Sequence, residues 1–189
     1  MIAGLLGRLL RGVRAGEEKL LWKHPDIRNV PDTLMLSSSA FQDGGVMPVL
    51  CAARRIGGED QSPPLIWSSV PPNTVELVVV MEDPDAPLPV PSVHLLAAGI
   101  SPQGSTIARG ALCNPLSPEI CFGKWWTGKA IYRGPMPPPS HGPHRYVFQL
   151  FALSQALGMQ PGFDKQTLLR AMTGKILARG VLTGTFERR

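Results

Sequence analysis

A long apolar run that ends in an acidic, proline-rich turn occupies residues 75–87, VELVVVMEDPDAP. Its first part, Val75–Met81, is apolar except for Glu76, which predicts a central strand covered on both faces. Two prolines around two aspartates cannot continue a sheet ladder, so we expect Asp83 and Asp85 to lie on a rigid turn beyond the strand. Rigid loops at the ends of buried strands commonly carry function, although for Asp85 a structural role is favoured.

A second rigid loop occupies residues 132–146, YRGPMPPPSHGPHRY, and leads into a predicted strand over Tyr146–Leu153. Five prolines and two glycines within this loop fix the backbone without regular structure. If the strand begins near His144, alternation places His144 and Tyr146 on one side and Arg145 on the other. An imidazole N–H and a phenol O–H that point the same way predict an anion-binding pair.

The composition favours many short strands joined by turns. The 189 residues suit one domain, and 20 glycines and 20 prolines cut regular elements short. Asp164 is placed to cap a helix over Lys165–Arg179, which a last strand over Val181–Phe186 follows. Three further strands are predicted over Thr33–Leu36, Val49–Ala53 and Val93–Ile100. The predicted fold class is therefore α+β and mostly β.

The N-terminal segment 1–22 is predicted to form an amphipathic basic helix that precedes a single domain over 23–189. Arg8, Arg11 and Arg14 fall on the side of the helix opposite its apolar residues. The apolar side consists of Ile2, Leu5, Leu6, Leu9, Leu10 and Val13. Such a helix either lays its leucines on its own domain or across a homodimer, or docks on a membrane surface or a partner protein.

Charge and cysteine usage narrow the classes of function. The formal net charge of +5 favours anionic partners without indicating nucleic acid. The three cysteines, Cys51, Cys113 and Cys121, fit no metal or redox spacing, so we interpret them as reduced thiols of a cytoplasmic protein. No apolar run approaches the roughly 18 residues of a membrane span, and arginines interrupt the N-terminal run before it resembles a signal peptide.

Four pieces of the sequence resemble the phosphatidylethanolamine-binding proteins, and most closely their bacterial Raf kinase inhibitor-like branch. They are SPPLIW with VPPNT at residues 62–74, DPDAP at 83–87, GPMPPPSHGPHRYVF at 134–148, and AMTGKILA with GTF at 171–186. The resemblance runs from about residue 30 to the end of the chain. The resemblance is specific because DPDAP and HRYVF both occur, and in this order.

The resemblance implies a large central antiparallel sheet packed on a smaller sheet, with an anion pocket at one end and helices near the two termini. It implies non-catalytic binding of phosphate-like or acetate-like anions and of the phosphoethanolamine headgroup, without a metal or another cofactor. Some family members inhibit kinases or other enzymes, so a protein partner is a further expectation. Carried over by motif, the pocket residues are Asp83, Pro87, His94, Gly134, Pro137, Pro138, His144 and Tyr146.

Several positions depart from the family pattern. Ser140 stands where the proline loop usually has glycine, at a cost of about 1 kcal/mol if its φ is positive. His141 is predicted to be a solvated loop residue. The segment 113–132 matches no family motif, and its Trp125-Trp126 pair is assigned equally to packing or to the pocket rim. Its lysines, Lys124 and Lys129, could also line that rim.

Two chemical points remain open from the sequence. A carboxylate at Asp83 repels a bound anion unless it accepts an imidazole N–H or meets an ammonium group, and histidine contacts predict that anion affinity rises as pH falls. An Asp/His hydrolase is the alternative enzyme class. Ser140 is its one testable nucleophile, and a metal hydrolase of Asp83, His94 and His144 is conceivable, but the chain has neither GxSxG nor HExxH.

Overall fold

The computed structural model describes residues 2–114, 119–125, 128 and 130–188, which form two antiparallel sheets. The elements are α1 (Ile2–Leu9), β1 (Met35–Ser37), β2 (Leu65–Ser68), β3 (Glu76–Asp83), β4 (Ser92–Ile100), β5 (Thr106–Ile107), β6 (Cys121–Phe122), β7 (His144–Leu153), α2 (Lys165–Met172) and β8 (Ile176–Phe186). One sheet has five strands in the order β6-β4-β3-β7-β8, and the other has three in the order β1-β2-β5.

Strand β3 lies at the centre of the large sheet, between β4 and β7. All eight of its residues are buried, because apolar layers cover both faces. Leu77 and Met81 belong to one apolar cluster, while Val78 and Val80 belong to the other. The prediction of a strand covered on both faces is confirmed, and its end at Asp83 lies at the beginning of the acidic turn.

The two apolar clusters define the layers of the fold. The first lies between the sheets and includes Leu36, Leu65 and Trp67 from the small sheet. The second lies on the outer face of the large sheet, where Ile27 and Leu168 help to cover it. A mostly β fold with a large antiparallel sheet packed on a smaller one is therefore confirmed.

The C-terminal helix is shorter than predicted. Helix α2 begins after the Asp164 cap, whose carboxylate accepts the Thr167 N–H, but it ends at Met172 rather than at Arg179. Gly174 then takes a left-handed conformation in the turn that starts β8. Pairing with β7 along ten residues satisfies the backbone of Ile176–Phe186, and this tertiary ladder overrides the local helical pattern.

The predicted strand over Val49–Ala53 is also wrong, because these residues begin with a short 3-10 helix, Val49–Cys51. Local bonds close this turn, as the Ala52 N–H donates to the Val49 carbonyl. The Ala53 N–H instead reaches the Pro135 carbonyl at 3.0 Å. This stretch therefore supports the back of the proline-rich loop rather than extending a sheet.

The N-terminal helix, predicted over residues 1–22, ends at Leu9, and short 3-10 helices follow at Glu17–Lys19 and Leu21–Lys23. Leu5, Leu6 and Leu9 are 60%, 55% and 73% exposed, so of the alternatives for this helix, the one in which its leucines pack on their own domain is wrong. Residues 20–22 are instead buried in the outer apolar cluster. None of the helices in the described ranges has the length and apolar character to cross a membrane.

Candidate functional site

A cavity of about 190 Å³ opens at the end of the large sheet where β3 ends and β7 begins. The acidic turn forms one wall and the proline-rich loop forms another, with Arg133 and Met136 at the boundary of a neighbouring cavity. Six of the eight predicted pocket residues line it: Asp83, Pro87, His94, Pro137, Pro138 and His144. Gly134 and Tyr146 do not line it.

A row of hydrogen bonds crosses the base of the cavity. The Asp83 carboxylate oxygen Oδ2 is 2.8 Å from His144 Nδ1, and His144 Nε2 is 2.8 Å from His141 Nδ1. His141 Nε2 is in turn 2.7 Å from the Leu10 carbonyl oxygen. Asp83 and both histidines are almost fully buried. The acidic turn, the proline-rich loop and the N-terminal segment therefore share one hydrogen-bonded row.

The directions of these bonds follow from the acceptor at the end of the row. A carbonyl only accepts, so His141 donates from Nε2 to Leu10, and its Nδ1 then accepts a proton from His144 Nε2 when His141 is neutral. A bond from His144 Nδ1 to Asp83 needs one proton more than two neutral rings provide. All three hydrogen bonds therefore form together only when the row holds one proton more than a carboxylate and two neutral rings carry.

The interpretation of His141 as a solvated loop residue is wrong, since it is only 1% exposed. Helix α1 and the residues that follow it cover this position. The consequence for His144 is direct, because both of its ring nitrogens are already engaged by Asp83 and His141. In the sequence, only the three-residue spacing of His141 and His144 indicated this contact, and such a spacing alone is weak evidence.

The Tyr146 hydroxyl is buried, and the Met136 backbone N–H lies near it without forming a hydrogen bond of normal geometry. Burial and the Asp83 carboxylate raise the pKa of Tyr146 well above its usual value, so the phenol stays protonated. Its ring meets the edge of His94 with centroids 5.1 Å apart. Tyr146 therefore supports His94 from behind.

His94 is the histidine best placed to meet a ligand. Its Nδ1 lies 2.9 Å from the Arg133 carbonyl and donates to it, while the Arg133 N–H donates back to the His94 carbonyl at 2.9 Å. Burial lowers the pKa of His94, although the Asp83 carboxylate opposes this shift. At neutral pH the ring therefore offers a lone pair at Nε2, and after protonation it offers an N–H.

The lowered pKa of His94 predicts a loss of stability in mild acid. The unfolded chain binds a proton near pH 6.5, the ordinary value, whereas the folded ring resists it. Well above pH 6.5 the ring is unprotonated in both states, so the burial of His94 costs no stability in this respect. Below pH 6.5 the free energy of unfolding falls by at most about 1.4 kcal/mol per pH unit. Urea unfolding at several pH values should show this slope, and it should be reduced in His94→Gln. An unchanged slope in that variant contradicts the assignment.

Asp85 anchors the acidic turn to two other segments. Its carboxylate accepts hydrogen bonds from the Arg145 backbone N–H and guanidinium at 2.8–2.9 Å and pairs with Arg14 at 2.7 Å. Burial would raise the pKa of Asp85, but the bonds from Arg145 and Arg14 lower it to about 2. The favoured structural interpretation of Asp85 agrees with these contacts, which sequence reasoning did not identify.

Gly134 acts through its backbone. Its N–H donates to Asp60 Oδ1 at 3.0 Å, and a Cβ at this position would lie 2.4 Å from the Cys51 carbonyl oxygen. Only glycine lets the two chain segments approach so closely. Gly134 therefore fixes the start of the proline-rich loop rather than touching the cavity itself.

A larger cavity of about 750 Å³ adjoins the first and shares Arg133 and Met136 with it. Trp125 lines this larger cavity, and the Arg133 guanidinium lies over its ring at 4.6 Å from the centroid. Trp125 does not line the anion cavity itself, so the choice between packing and a role at the pocket rim stays a prediction. Lys124 lines a separate groove, whereas Trp126 and Lys129 lie outside the described residues.

Ser140 is not arranged as the nucleophile of the alternative hydrolase. Ser140 has a φ of 63°, as expected for a residue in place of glycine, and its carbonyl accepts from Arg11. The ring nitrogens of His141 and His144 are already occupied, so neither can act as a base for the Ser140 hydroxyl. Over the ranges that the structure covers, no three His, Cys, Asp or Glu residues converge as a metal site would require.

The phosphatidylethanolamine-binding protein family model matches residues 37–187. The chain belongs to this family. A UPF0098 protein of Aquifex aeolicus is 35% identical over 155 residues, which cover 80% of this chain and 86% of that protein. Phosphatidylethanolamine-binding family proteins are generally non-catalytic binding proteins.

Solved structures of phosphatidylethanolamine-binding family members share this fold. A homolog from Chlamydia trachomatis has a TM-score of 0.74 and 33% identity, with coverage of 84% of this chain and 99% of that chain. Escherichia coli YbcL has a TM-score of 0.76 at 23% identity, with coverage of 83% and 99%. The match to the family begins at residue 37, so α1 and the segment that contacts the cavity loops precede it.

Proposed function

We propose that this protein is a non-catalytic binding module for a phosphate-type anion, and that it binds phosphoethanolamine in preference to inorganic phosphate. The observation that carries the proposal is the small cavity in which His94 and Arg133 face the same space as Asp83. Its volume is below the roughly 300–1,000 Å³ of pockets for drug-sized ligands, which favours a small ligand or one end of a larger one.

The charges around the cavity suit a ligand that carries both signs. The Arg133 guanidinium and a protonated His94 Nε2 would donate to phosphate oxygens. The Asp83 carboxylate would repel the phosphate but attract an ammonium group, as phosphoethanolamine provides. His144 keeps Asp83 in place from behind, because their 2.8 Å hydrogen bond fixes the carboxylate plane.

A regulatory or inhibitor-like role toward a kinase or another enzyme belongs to the same proposal. Arg55 and Arg188 line a third cavity next to Pro137 and Pro138, so cationic side chains border the loop that walls the anion site. This border would favour a partner with an anionic surface near the bound headgroup.

The proposal predicts saturable binding of phosphate and phosphoethanolamine that depends on His94. Titrations followed by NMR should move the backbone amide signals of residues 83–94 and 133–144. The variant His94→Ala should weaken binding about tenfold or more, because it removes a hydrogen bond to a charged group. The matched control is His24→Ala, a partly exposed histidine that does not line the cavity, and it should leave the affinity unchanged.

The pH dependence tests the histidine contact separately. Sulfate keeps a constant charge between pH 5 and 8, so any change in its affinity reports on the protein. Because burial lowers the pKa of His94 and a bound anion favours its protonated form, sulfate affinity should rise as pH falls below 6.5. An affinity that stays flat over this range, or equal in His94→Ala, would count against the proposed contact.

A further inference from the structure

Helix α1 presents an apolar face to solvent. Leu5, Leu6 and Leu9 are each more than half exposed, and Val13, which follows the helix, is 46% exposed. Buried apolar side chains stabilise a folded chain, so four exposed ones on one short segment form a local patch that water solvates poorly.

The opposite face of α1 is held tightly against the domain. A Cβ on Gly7 would lie 2.0 Å from the Pro139 carbonyl oxygen, so the helix backbone touches the proline-rich loop directly. The Arg11 guanidinium donates to the Ser140 carbonyl at 2.8 Å, and His141 donates to the Leu10 carbonyl. These contacts fix the orientation of α1 and keep its leucines outward.

Two exposed arginines lie on α1 or near the loop against which it packs. Arg8 is exposed on α1 itself, one turn from Leu5 and next to Leu9. Arg188 is also exposed and lies beside the docked loop, since its carbonyl accepts the Ser140 N–H at 2.9 Å. With the formal net charge of +5, the surroundings favour a negatively charged surface.

We propose that α1 docks on the surface of a membrane that contains anionic phospholipids. Leu5, Leu6 and Leu9 enter the boundary between headgroups and acyl chains, while Arg8 and Arg188 contact the lipid phosphates. This is the arrangement of interfacial amphipathic helices, which lie in the membrane plane without spanning it.

The size of the patch favours a lipid surface over a second copy of the chain. A helix of eight residues is about 12 Å long, so one face of it offers far less than the roughly 800 Å² per partner of a stable protein interface. A membrane needs no matching surface of that size, because each side chain partitions separately into the boundary region.

Docking through α1 also orients the anion cavity. The residues against which α1 packs, Pro139 and Ser140, directly follow Pro137 and Pro138 of the cavity wall. A protein held by α1 therefore keeps this loop near the lipid surface. The proposal does not depend on the occupant of the cavity.

Co-sedimentation with vesicles tests the proposal with the full chain. Vesicles of phosphatidylcholine with phosphatidylglycerol should bind the protein, and the triple variant Leu5→Ser/Leu6→Ser/Leu9→Ser should bind about tenfold more weakly or worse. The matched control replaces three exposed apolar residues away from α1: Met35→Ser, Val46→Ser and Val75→Ser. This control should bind as the wild type does, and thermal unfolding should show that both variants remain folded.

The variant Arg8→Glu tests the electrostatic contribution to vesicle binding separately from the contribution of the apolar side chains. It should weaken binding to vesicles with phosphatidylglycerol and have little effect on the weak binding to phosphatidylcholine alone. Saturating free phosphate should leave vesicle binding unchanged, which separates α1 from headgroup capture in the cavity. Equal binding by the triple variant would overturn the proposal. A wild-type protein that does not bind these vesicles would also overturn the proposal, whether or not it self-associates through the leucines.

Discussion

Replacing Glu82 by alanine is expected to lower the free energy of unfolding by about 3–5 kcal/mol. Glu82 is fully buried near the end of β3, yet it is a charged side chain. One carboxylate oxygen accepts the Leu21 N–H at 2.8 Å and the Gln149 side-chain amide at 2.9 Å, and the other pairs with Lys165 at 2.6 Å. Alanine leaves all three donors without this acceptor.

The effect is large because Glu82 joins three separate parts of the fold. Leu21 belongs to the N-terminal segment, Gln149 to β7 and Lys165 to α2. A buried N–H left without a partner costs about 1–3 kcal/mol, and the lost side chain adds a void. Lys165 is 26% exposed, so its ammonium can turn toward water, which limits the total.

Urea unfolding of Glu82→Ala, Glu82→Gln and the control Glu18→Ala measures this contribution. Glutamine retains an oxygen for Leu21 but loses the charge for Lys165, so its stability should lie between those of the alanine variant and the wild type. Glu18 is exposed and its ion pair is loose at 3.9 Å, so its removal should change stability by less than about 0.5 kcal/mol. A loss below about 1 kcal/mol in Glu82→Ala would refute the central role of this carboxylate.

Replacing Gly134 by alanine is expected to cost about 3 kcal/mol and to abolish anion binding at the proposed site. The added Cβ would lie 2.4 Å from the Cys51 carbonyl oxygen and 2.6 Å from the Ala53 nitrogen. Both atoms belong to the backbone, so no side chain can turn away to make room. The proline-rich loop must move instead, and with it Arg133 and Met136 of the cavity wall.

Gly12→Ala is the matched control for this substitution. No atom lies within 4 Å of a Cβ built on Gly12, and its φ is not positive, so alanine fits there without strain. Its unfolding free energy should equal or slightly exceed that of the wild type. Retention of wild-type stability and phosphate affinity in Gly134→Ala would show that the loop tolerates the displacement and would contradict the prediction.

The centre of the fold was predictable because its sequence signals are local. An apolar run from Val75 to Met81 can be satisfied only by burial on both faces, and the prolines of residues 84–87 must end the strand. The strand over Tyr146–Leu153 was predicted in the same way, and β7 confirms it over His144–Leu153. That Asp83 and His144 share one pocket was implied by the family resemblance instead, and in the structure Asp83 Oδ2 lies 2.8 Å from His144 Nδ1.

Residues 168–180 show where local reasoning fails. Leu168, Leu169, Met172 and Ile176 recur at helical spacing, but the last of them belongs to a strand. The spacing of apolar residues fits a helix as well as it fits the turn and strand. The ladder with β7, formed with residues about thirty positions earlier, decides between them.

The environment of His141 was beyond prediction for a different reason. Its burial results from the N-terminal segment, which approaches from about 130 positions away in the chain. The amphipathic pattern predicted the helix but not which side contacts the domain. Gly7 provides that contact because a bare backbone can approach a loop more closely than a leucine can.

Main-chain atoms form part of the contact between the N-terminal segment and the cavity loops, beside the side-chain contacts of Arg11 and Arg14. The Ala15 N–H donates to the Ala86 carbonyl at 2.9 Å and the Gly16 N–H to the Pro84 carbonyl at 3.0 Å, and His141 reaches a carbonyl of Leu10. Main-chain groups are the same at nearly every residue. The attachments through Leu10 and Ala15 therefore tolerate a change of side chain at these two positions, whereas the contacts of Arg11 and Arg14 depend on their guanidinium groups.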